Sequence, residues 1–263
     1  MNELLKVALS AAKEAAEIAV KVRNSGNIGL NFKGDVNLCT IADIEAEKAI
    51  IAQISAAYPE HTILSEESNS ELENRDYSGP LWIIDPIDGT TNFAHGHNHV
   101  GISIAFADEG IVKAGVVAVP FQHEIFTALK GEGAYLNGKR IECGTADNIK
   151  SALVCTGFPY ERNELDPLIK RFTRILKDCR DMRRLGACSV DMCWVACGRL
   201  DLYYEDVMPW DMAAAGLICK EAGAKIEYFR QPSLKNLPAD LNSEGLIVGN
   251  SKLISIAKGL FAA

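Results

Sequence analysis

A mixed α/β fold, an α+β first half followed by an α/β second half, is predicted by three features of this 263-residue sequence. Two segments near the start carry apolar residues at helical spacing. Between residues 100 and 129, three β-rich runs follow one another across short turn segments, the pattern of an antiparallel meander. Beyond about residue 145, strand-like and helix-like stretches alternate. The change of pattern divides the chain into 1–145 and 146–263, expected to pack as one compact structural unit.

Residues 3–23 mix Leu, Ala, Val and Ile with Lys and Glu at helical spacing, and Gly26 supplies a stop. Residues 29–33 read as a short strand. Thr40 has the character of an N-cap, because Asp43 stands three residues later in capping-box position. The helix it opens spans 41–58 and ends before Pro59. A short strand at 62–64 delivers Ser65-Glu66-Glu67-Ser68, and the polar residues 68–80 form a surface loop. The next strand, 81–84, is apolar throughout and stops at Asp85-Pro86, since proline has no N–H to donate. Runs at 100–107, 111–119 and 124–129 make the meander, and Asn137-Gly138 signals a further hairpin. Asp166-Pro167 marks a helix start, as N-cap and first turn. Helices follow at 189–197 and 211–222, the second ended by Gly223, with strands at 200–204 and 245–248.

The charge balance of 27 basic against 35 acidic residues leaves −8, which is not that of a typical nucleic-acid binder. Bound cations can still reverse the local sign for an anionic substrate. Hydrophobic residues make up 48%, enough for a sizeable core and against disorder. The eight cysteines include no C-x-x-C pair, and most lie in apolar runs such as 152–155. They are expected as buried, reduced thiols of a cytoplasmic protein rather than zinc ligands. Lys6, Lys13, Glu14 and Glu17 interrupt the first segment, unlike a signal peptide, and no uncharged apolar run approaches membrane-spanning length.

The chemistry concentrates in WIIDPIDGTTNF at 82–93. Asp85 and Asp88 flank one Pro-Ile step, Gly89 frees the backbone, and hydroxyls follow where a short helix can begin. Carboxylates this close repel each other unless a cation lies between them. Oxygen ligands favour Mg²⁺, Ca²⁺ or Mn²⁺, and free N–H groups after Gly89 favour an anion. A cation beside an oxyanion suits phosphoryl chemistry. Glu66 and Glu67 end another predicted strand, and Asp211 starts a helix in PWDMAAAGLICKEAG. Convergence of these three places would line one cleft with carboxylates. Singly, each has a simpler reading: Asp85 as a turn cap, Asp211 as an N-cap, the glutamates as solvated. An EF-hand loop is excluded, because the twelfth position from Asp85 is Gly96, not Glu.

Taken together, the sequence resembles the inositol monophosphatase family of Mg²⁺-dependent, lithium-sensitive phosphatases. WIIDPIDGTTNF at 82–93 and WDMAAAGLICKEAG at 210–223 carry the match, supported by SEES at 65–68, TIAD at 40–43 and LDLYYE at 200–205. The resemblance spans nearly the whole chain. It implies the layered αβαβα sandwich of the inositol monophosphatase and fructose-1,6-bisphosphatase type, and a homodimer. It implies that Glu66, Asp85 and the Ile87 carbonyl hold a first Mg²⁺ with Thr90 close by, and that Asp85 bridges to a second held by Asp88 and Asp211. A third, weaker Mg²⁺ would lean on Glu66 through waters, with Glu67 behind it. The N–H groups of Gly89 and Thr90 would grip the phosphate, and Asp43 and Thr90 would orient the attacking water. Glu205, Asp88 and the backbone of Gly186, Ala187 and Cys188 would face the substrate's hydroxyls.

The implied reaction is hydrolysis of a phosphate monoester, foremost myo-inositol 1-phosphate, with no nucleic-acid or membrane partner. Metals about 3.5–4 Å apart stabilise the attacking and leaving oxygens together, so one carboxylate must bridge them. Asp85, followed by rigid Pro86, suits that place, and no cysteine or serine nucleophile is required. Alternatives are a sister enzyme acting on histidinol phosphate, fructose 1,6-bisphosphate or a 3′-phosphonucleotide, and a regulatory binding protein on the same fold.

Asp43 has two readings, first-turn helix residue and proton acceptor through Thr90, and a mixed role is favoured. His95, His97 and His99 alternate, and are expected on the surface or behind the site rather than as a metal clip. Lys33 either approaches the metal carboxylates or is solvated, and which of Arg183 and Arg184 faces the cleft is open. The chain departs from the family pattern at Ser65 for Gly, at His97-Asn98 for an aromatic-proline pair, at Asn37 for Asp and at Cys188 for Ala. The 205–211 loop is one residue shorter than in animal members. Cys188 and this loop bear on substrate choice.

Overall fold

The computed structural model describes residues 2–33, 37–159, 165–234 and 236–262, without the side chains of residues 32, 33, 37 and 262. The expectations for the Lys33 and Asn37 side chains therefore lie outside the described residues.

The chain runs α1 (Glu3–Ser25), β1 (Asn31–Lys33), β2 (Asn37–Cys39), α2 (Ile41–Ala57), β3 (Thr62–Ser65), β4 (Leu81–Asp88), α3 (Thr90–Ala94) and β5 (Gly101–Asp108). It continues as β6 (Ile111–Val119), β7 (Glu124–Leu129), β8 (Gly133–Leu136), β9 (Lys139–Ile141) and β10 (Leu153–Thr156). Then come α4 (Asp166–Asp178), β11 (Asp181–Arg183), α5 (Cys188–Ala196), β12 (Leu202–Glu205), α6 (Pro209–Glu221), β13 (Lys225–Tyr228), β14 (Leu246–Gly249) and α7 (Ser251–Ala262). Local signals set the first helices. Asn2 accepts from the Leu4 N–H at 2.9 Å, and Gly26 closes α1 in the left-handed region. Thr40 and Asp43 form the expected capping box at the start of α2.

The larger sheet has the order β3-β4-β5-β6-β7-β8-β9, with β3 and β4 parallel and the rest an antiparallel meander. The smaller sheet has the order β11-β10-β12-β14-β13, parallel through its first three strands and antiparallel beyond. Side-chain alternation along the strands builds the layers. Trp82, Ile84, Ile102 and Ile104 pack against Ala12, Ala15 and Ala19 of α1 and Ile50 and Ile54 of α2. Leu81 and Ile83 face the other way, into a core shared with Val190 of α5, Leu217 of α6, and Tyr203 and Val248 of the smaller sheet. The far face of that sheet, Val154, Leu202, Tyr204 and Ile247, packs on Ile175 of α4 and Leu253 and Ile254 of α7. The result is the layered αβαβα sandwich.

Several boundaries differ from the sequence-based expectation. β4 does not stop at Asp85-Pro86; it runs to Asp88, and its pairing with β5 shifts register between Asp85 and Asp88. Pro86 is tolerated because it sits in that bulge, where no ladder N–H is required. α4 begins one residue earlier, with Leu165 as N-cap and Asp166 as first helical residue. α6 starts at Pro209, which puts Asp211 at the third helical position, where its carboxylate accepts from the Met208 N–H at 2.8 Å. β2, β10, β11, β13 and α7 had no predicted counterpart; four are strands of three or four residues, too short to show a period.

Candidate active site

Three segments end at one place. β3 and β4 run parallel, so Ser65 pairs with Ile84 and the Glu66 N–H donates to the Ile84 carbonyl at 3.2 Å. This sets Glu66 beside Asp85. The bulge after Asp85 returns Asp88 to the same side, and the N-terminal turn of α6 brings Asp211 from the far end of the chain. Carboxylate oxygens of Asp85, Asp88 and Asp211 lie within 4.8 Å of one another.

The local bonds fix these side chains. Asp85 Oδ1 accepts from the Ile87 N–H at 3.0 Å. Asp88 is held by α5: it accepts from the N–H groups of Cys188 at 3.2 Å and Ser189 at 2.7 Å, and from the Ser189 hydroxyl. Electrostatics are adverse for a bare site. Burial, then the charges of Glu66, Asp88, Asp211 and Asp43, push the Asp85 carboxyl well above its usual range. Burial and Asp88 push Asp211 up to about 8. Burial lifts Asp88 to about 6 against the pull of its Ser189 bonds. A clustered, enclosed, all-oxygen donor set whose members raise one another is the chemistry that a hard divalent cation relieves.

Gly89 makes the next turn possible. Its φ is +88°, and a Cβ there would stand 3.0 Å from the Gly186 carbonyl and 3.2 Å from that of His99. Thr90 then opens α3. Its hydroxyl donates within reach of Asp43 Oδ1 at 3.0 Å and the Ile87 carbonyl at 3.1 Å. Asp43 Oδ2 is occupied by the Thr40 N–H and hydroxyl. Burial raises Asp43 to about 6 although the Thr40 and Thr90 bonds oppose it. The Glu67 carboxylate accepts from the Cys39 thiol at 3.2 Å, and its charge adds to the rise at Asp43.

On the opposite wall, Glu205 ends β12 with its carboxylate bonded to the Tyr203 hydroxyl. Burial pushes Glu205 up to about 8, and the nearby Arg184 charge pulls it down. This settles the open arginine pair: Arg184 lies at the cleft, over the Phe158 ring at 5.4 Å, whereas Arg183 pairs with Asp181 at 2.7 Å. Gly186 and Ala187 lead into α5 beside Gly89, and Cys188 is its first residue.

The histidines divide. His95 and His97 are exposed, but His99 is buried and its Nε2 lies 2.8 Å from Asp191 of α5. Sequence reasoning passed over Asp191. It also missed Asn92, whose amide donates to the His99 and Leu185 carbonyls at 2.8 and 2.7 Å. A third omission is Glu47, buried one helical turn beyond Asp43. Glu47 Oε1 accepts from the Ser65 hydroxyl and the Ser68 N–H, clamping the loop that carries Glu66 and Glu67. The Asp43–Glu47 spacing of i, i+4 was the available signal. The cysteines are free thiols, five of them buried. Among the described residues, no helix is long and apolar enough to cross a membrane.

A sequence model of the inositol monophosphatase family matches residues 1–261, and the chain belongs to that family. A curated relative, Nus factor SuhB of Pasteurella multocida, is 39% identical over 86% of this chain and 85% of its own. The solved extragenic suppressor protein SuhB of Bartonella henselae superposes with a TM-score of 0.89 at 30% identity, covering 99% of this chain and 98% of that one. The inositol monophosphatase of Anabaena gives a TM-score of 0.82 at 28% identity, covering 98% and 95%.

Proposed function

We propose that this chain is a Mg²⁺-dependent phosphomonoesterase whose substrate is a small phosphorylated polyol, foremost myo-inositol 1-phosphate. The observation that carries the reading is the convergence of Asp85, Asp88 and Asp211 within 4.8 Å. Glu66, Asp85, the Ile87 carbonyl, Asp88 and Asp211 would hold two or three Mg²⁺, with Glu67 supporting from behind. Bound there, Mg²⁺ supplies the charge that activates water and stabilises the leaving oxygen.

The chain's own groups do the rest. Thr90 Oγ1, donating to Asp43, keeps a lone pair for the attacking water and orients it. Asp43, whose Oδ1 lies 3.0 Å from that hydroxyl, would take up the proton through it. The Gly89 and Thr90 N–H groups bind the phosphate oxygens. Glu205 and the backbone at Gly186, Ala187 and Cys188 line the side where the alcohol sits, and a carboxylate accepts from vicinal hydroxyls. Residues 1–145 and 146–263 act as one unit, since Asp88 and its α5 donors come from different halves. A cytoplasmic homodimer belongs to the same proposal, with sedimentation velocity as its check.

The test is phosphate release from myo-inositol 1-phosphate, histidinol phosphate, fructose 1,6-bisphosphate and a 3′-phosphonucleotide under Mg²⁺ titration, with and without lithium. Preference for the inositol ester supports the reading; preference for another ester moves the chain to a sister activity.

A second reading has one observation in its favour: the curated relative carries the name Nus factor, not that of a phosphatase. On that reading the fold also serves as a regulatory docking scaffold. Asp88→Asn separates the two, because it should abolish hydrolysis and leave docking intact.

A further inference from the structure

β10 and β12 run side by side, and their last paired residues are Thr156 and Tyr204. The Thr156 hydroxyl donates to the Tyr204 carbonyl at 2.7 Å and fastens the end of that ladder. Gly157 follows the end of β10 and Glu205 ends β12, so the fastening brings the two together. The Glu205 carboxylate lies directly on Gly157: a Cβ at Gly157 would stand 1.8 Å from Oε1 and 1.9 Å from Oε2. From the other side, the Tyr203 hydroxyl donates to Glu205 Oε2. Tyr203 is fully buried.

Glu205 is therefore seated between a missing side chain and a fixed phenol. We propose that Gly157 and Tyr203 are positioning residues that set substrate choice by holding Glu205 where it can accept hydrogen bonds from a polyol's hydroxyls. This rests on the phosphorylated-polyol reading above. Gly157 serves here through space rather than backbone freedom, because its φ is not among the positive ones. The distinction decides what substitution does. At Gly89 an added Cβ meets main-chain carbonyls, which cannot yield cheaply. At Gly157 it meets the far end of one flexible side chain. Gly157→Ala should thus fold normally and move only the Glu205 carboxylate off its seat. Tyr203→Phe removes the donor and leaves the ring in its packing.

The experiment measures kcat and KM for wild type, Gly157→Ala and Tyr203→Phe on two esters, myo-inositol 1-phosphate and p-nitrophenyl phosphate, which has no polyol hydroxyls. Thermal unfolding of each variant is recorded alongside. The wild type should prefer the inositol ester. Gly157→Ala should raise KM for that ester about tenfold, the loss expected for one or two hydrogen bonds, with kcat nearly unchanged. Its constants for the aryl ester should match wild type. Tyr203→Phe should shift the same ratio in the same direction, and decides the matter if Gly157→Ala does not fold. A wild type that prefers the inositol ester, with variants of unchanged ratio, overturns this inference alone. A wild type with no such preference overturns the substrate reading and this inference with it.

Discussion

Thr90 Oγ1 stands 3.0 Å from Asp43 Oδ1, a bond that ties the first turn of α3 to the first turn of α2 across 47 residues. If Asp43 only capped its helix, its charge would be worth about 0.3–1 kcal/mol of stability. As the proton acceptor behind Thr90 it would be worth about 10²–10⁴ in rate. Asp43→Asn is expected to lose turnover on that scale while its thermal unfolding moves by only a few degrees. Full turnover in a folded Asp43→Asn protein would remove Asp43 from catalysis.

Two glycines near the site test the close approach of its two walls. Gly89 and Gly96 both have positive φ, but a Cβ at Gly96 meets nothing within 4 Å. Gly96→Ala should cost only the left-handed backbone penalty, about 1–2 kcal/mol. Gly89→Ala carries the same penalty plus collision with Gly186 and His99, and should be the less stable protein in urea unfolding. Equal losses at the two positions would mean that the walls are not tightly apposed.

Glu47 is expected to set cation affinity without touching the cation. Glu47→Ala strips partners from the Ser65 hydroxyl and the Ser68 N–H, which should cost about 1–3 kcal/mol. Released from its clamp, the 65–68 loop should hold Glu66 less firmly, and the Mg²⁺ midpoint should rise by calorimetric titration. Ser65→Gly keeps the Ser68 bond and should show a smaller shift. An unchanged midpoint in Glu47→Ala would confine Glu47 to a purely structural place.

The carboxylates make the metal-free protein sensitive to pH. Asp43 and Asp88 near 6, and Asp211 near 8, all lie above the ordinary 3.8, so the folded chain binds these protons more tightly than the unfolded one. Stability from these groups is full below about pH 4 and is lost as pH rises through about 6 and then about 8. In the presence of a chelator, Tm should fall across that range. Mg²⁺ should raise Tm more at about pH 8 than at about pH 6, because it binds the deprotonated form. A Tm increment that is larger at the acid end would contradict the carboxylate cluster as the binding site.

Much of this was legible in the chain because it is written locally. Thr40 and Asp43 announce the α2 cap within four residues, and the β5–β7 runs show their period and their turns. Asp85, Asp88 and Asp211 were legible through motif resemblance, and their meeting through strand ends and a helix start. What escaped lies in contacts without a local signature. His99 and Asp191 are 92 residues apart, and nothing near either one points to the other. The continuation of β4 past Pro86 depends on a bulge opposite β5 rather than on proline's own preference. Gly157 acts by lacking a side chain, which a sequence cannot distinguish from a turn glycine.

On the reading proposed above, this acidic cluster performs phosphomonoester hydrolysis with Mg²⁺. The most direct measurement is phosphate release from myo-inositol 1-phosphate by wild type and Asp85→Asn as Mg²⁺ is added to chelator-treated protein. Release that rises from zero with Mg²⁺ in wild type, and is lost in a folded Asp85→Asn, is the predicted result. No release by wild type at any Mg²⁺ concentration, from this ester or from any other in the panel, would contradict the claim and leave the docking scaffold as the better account.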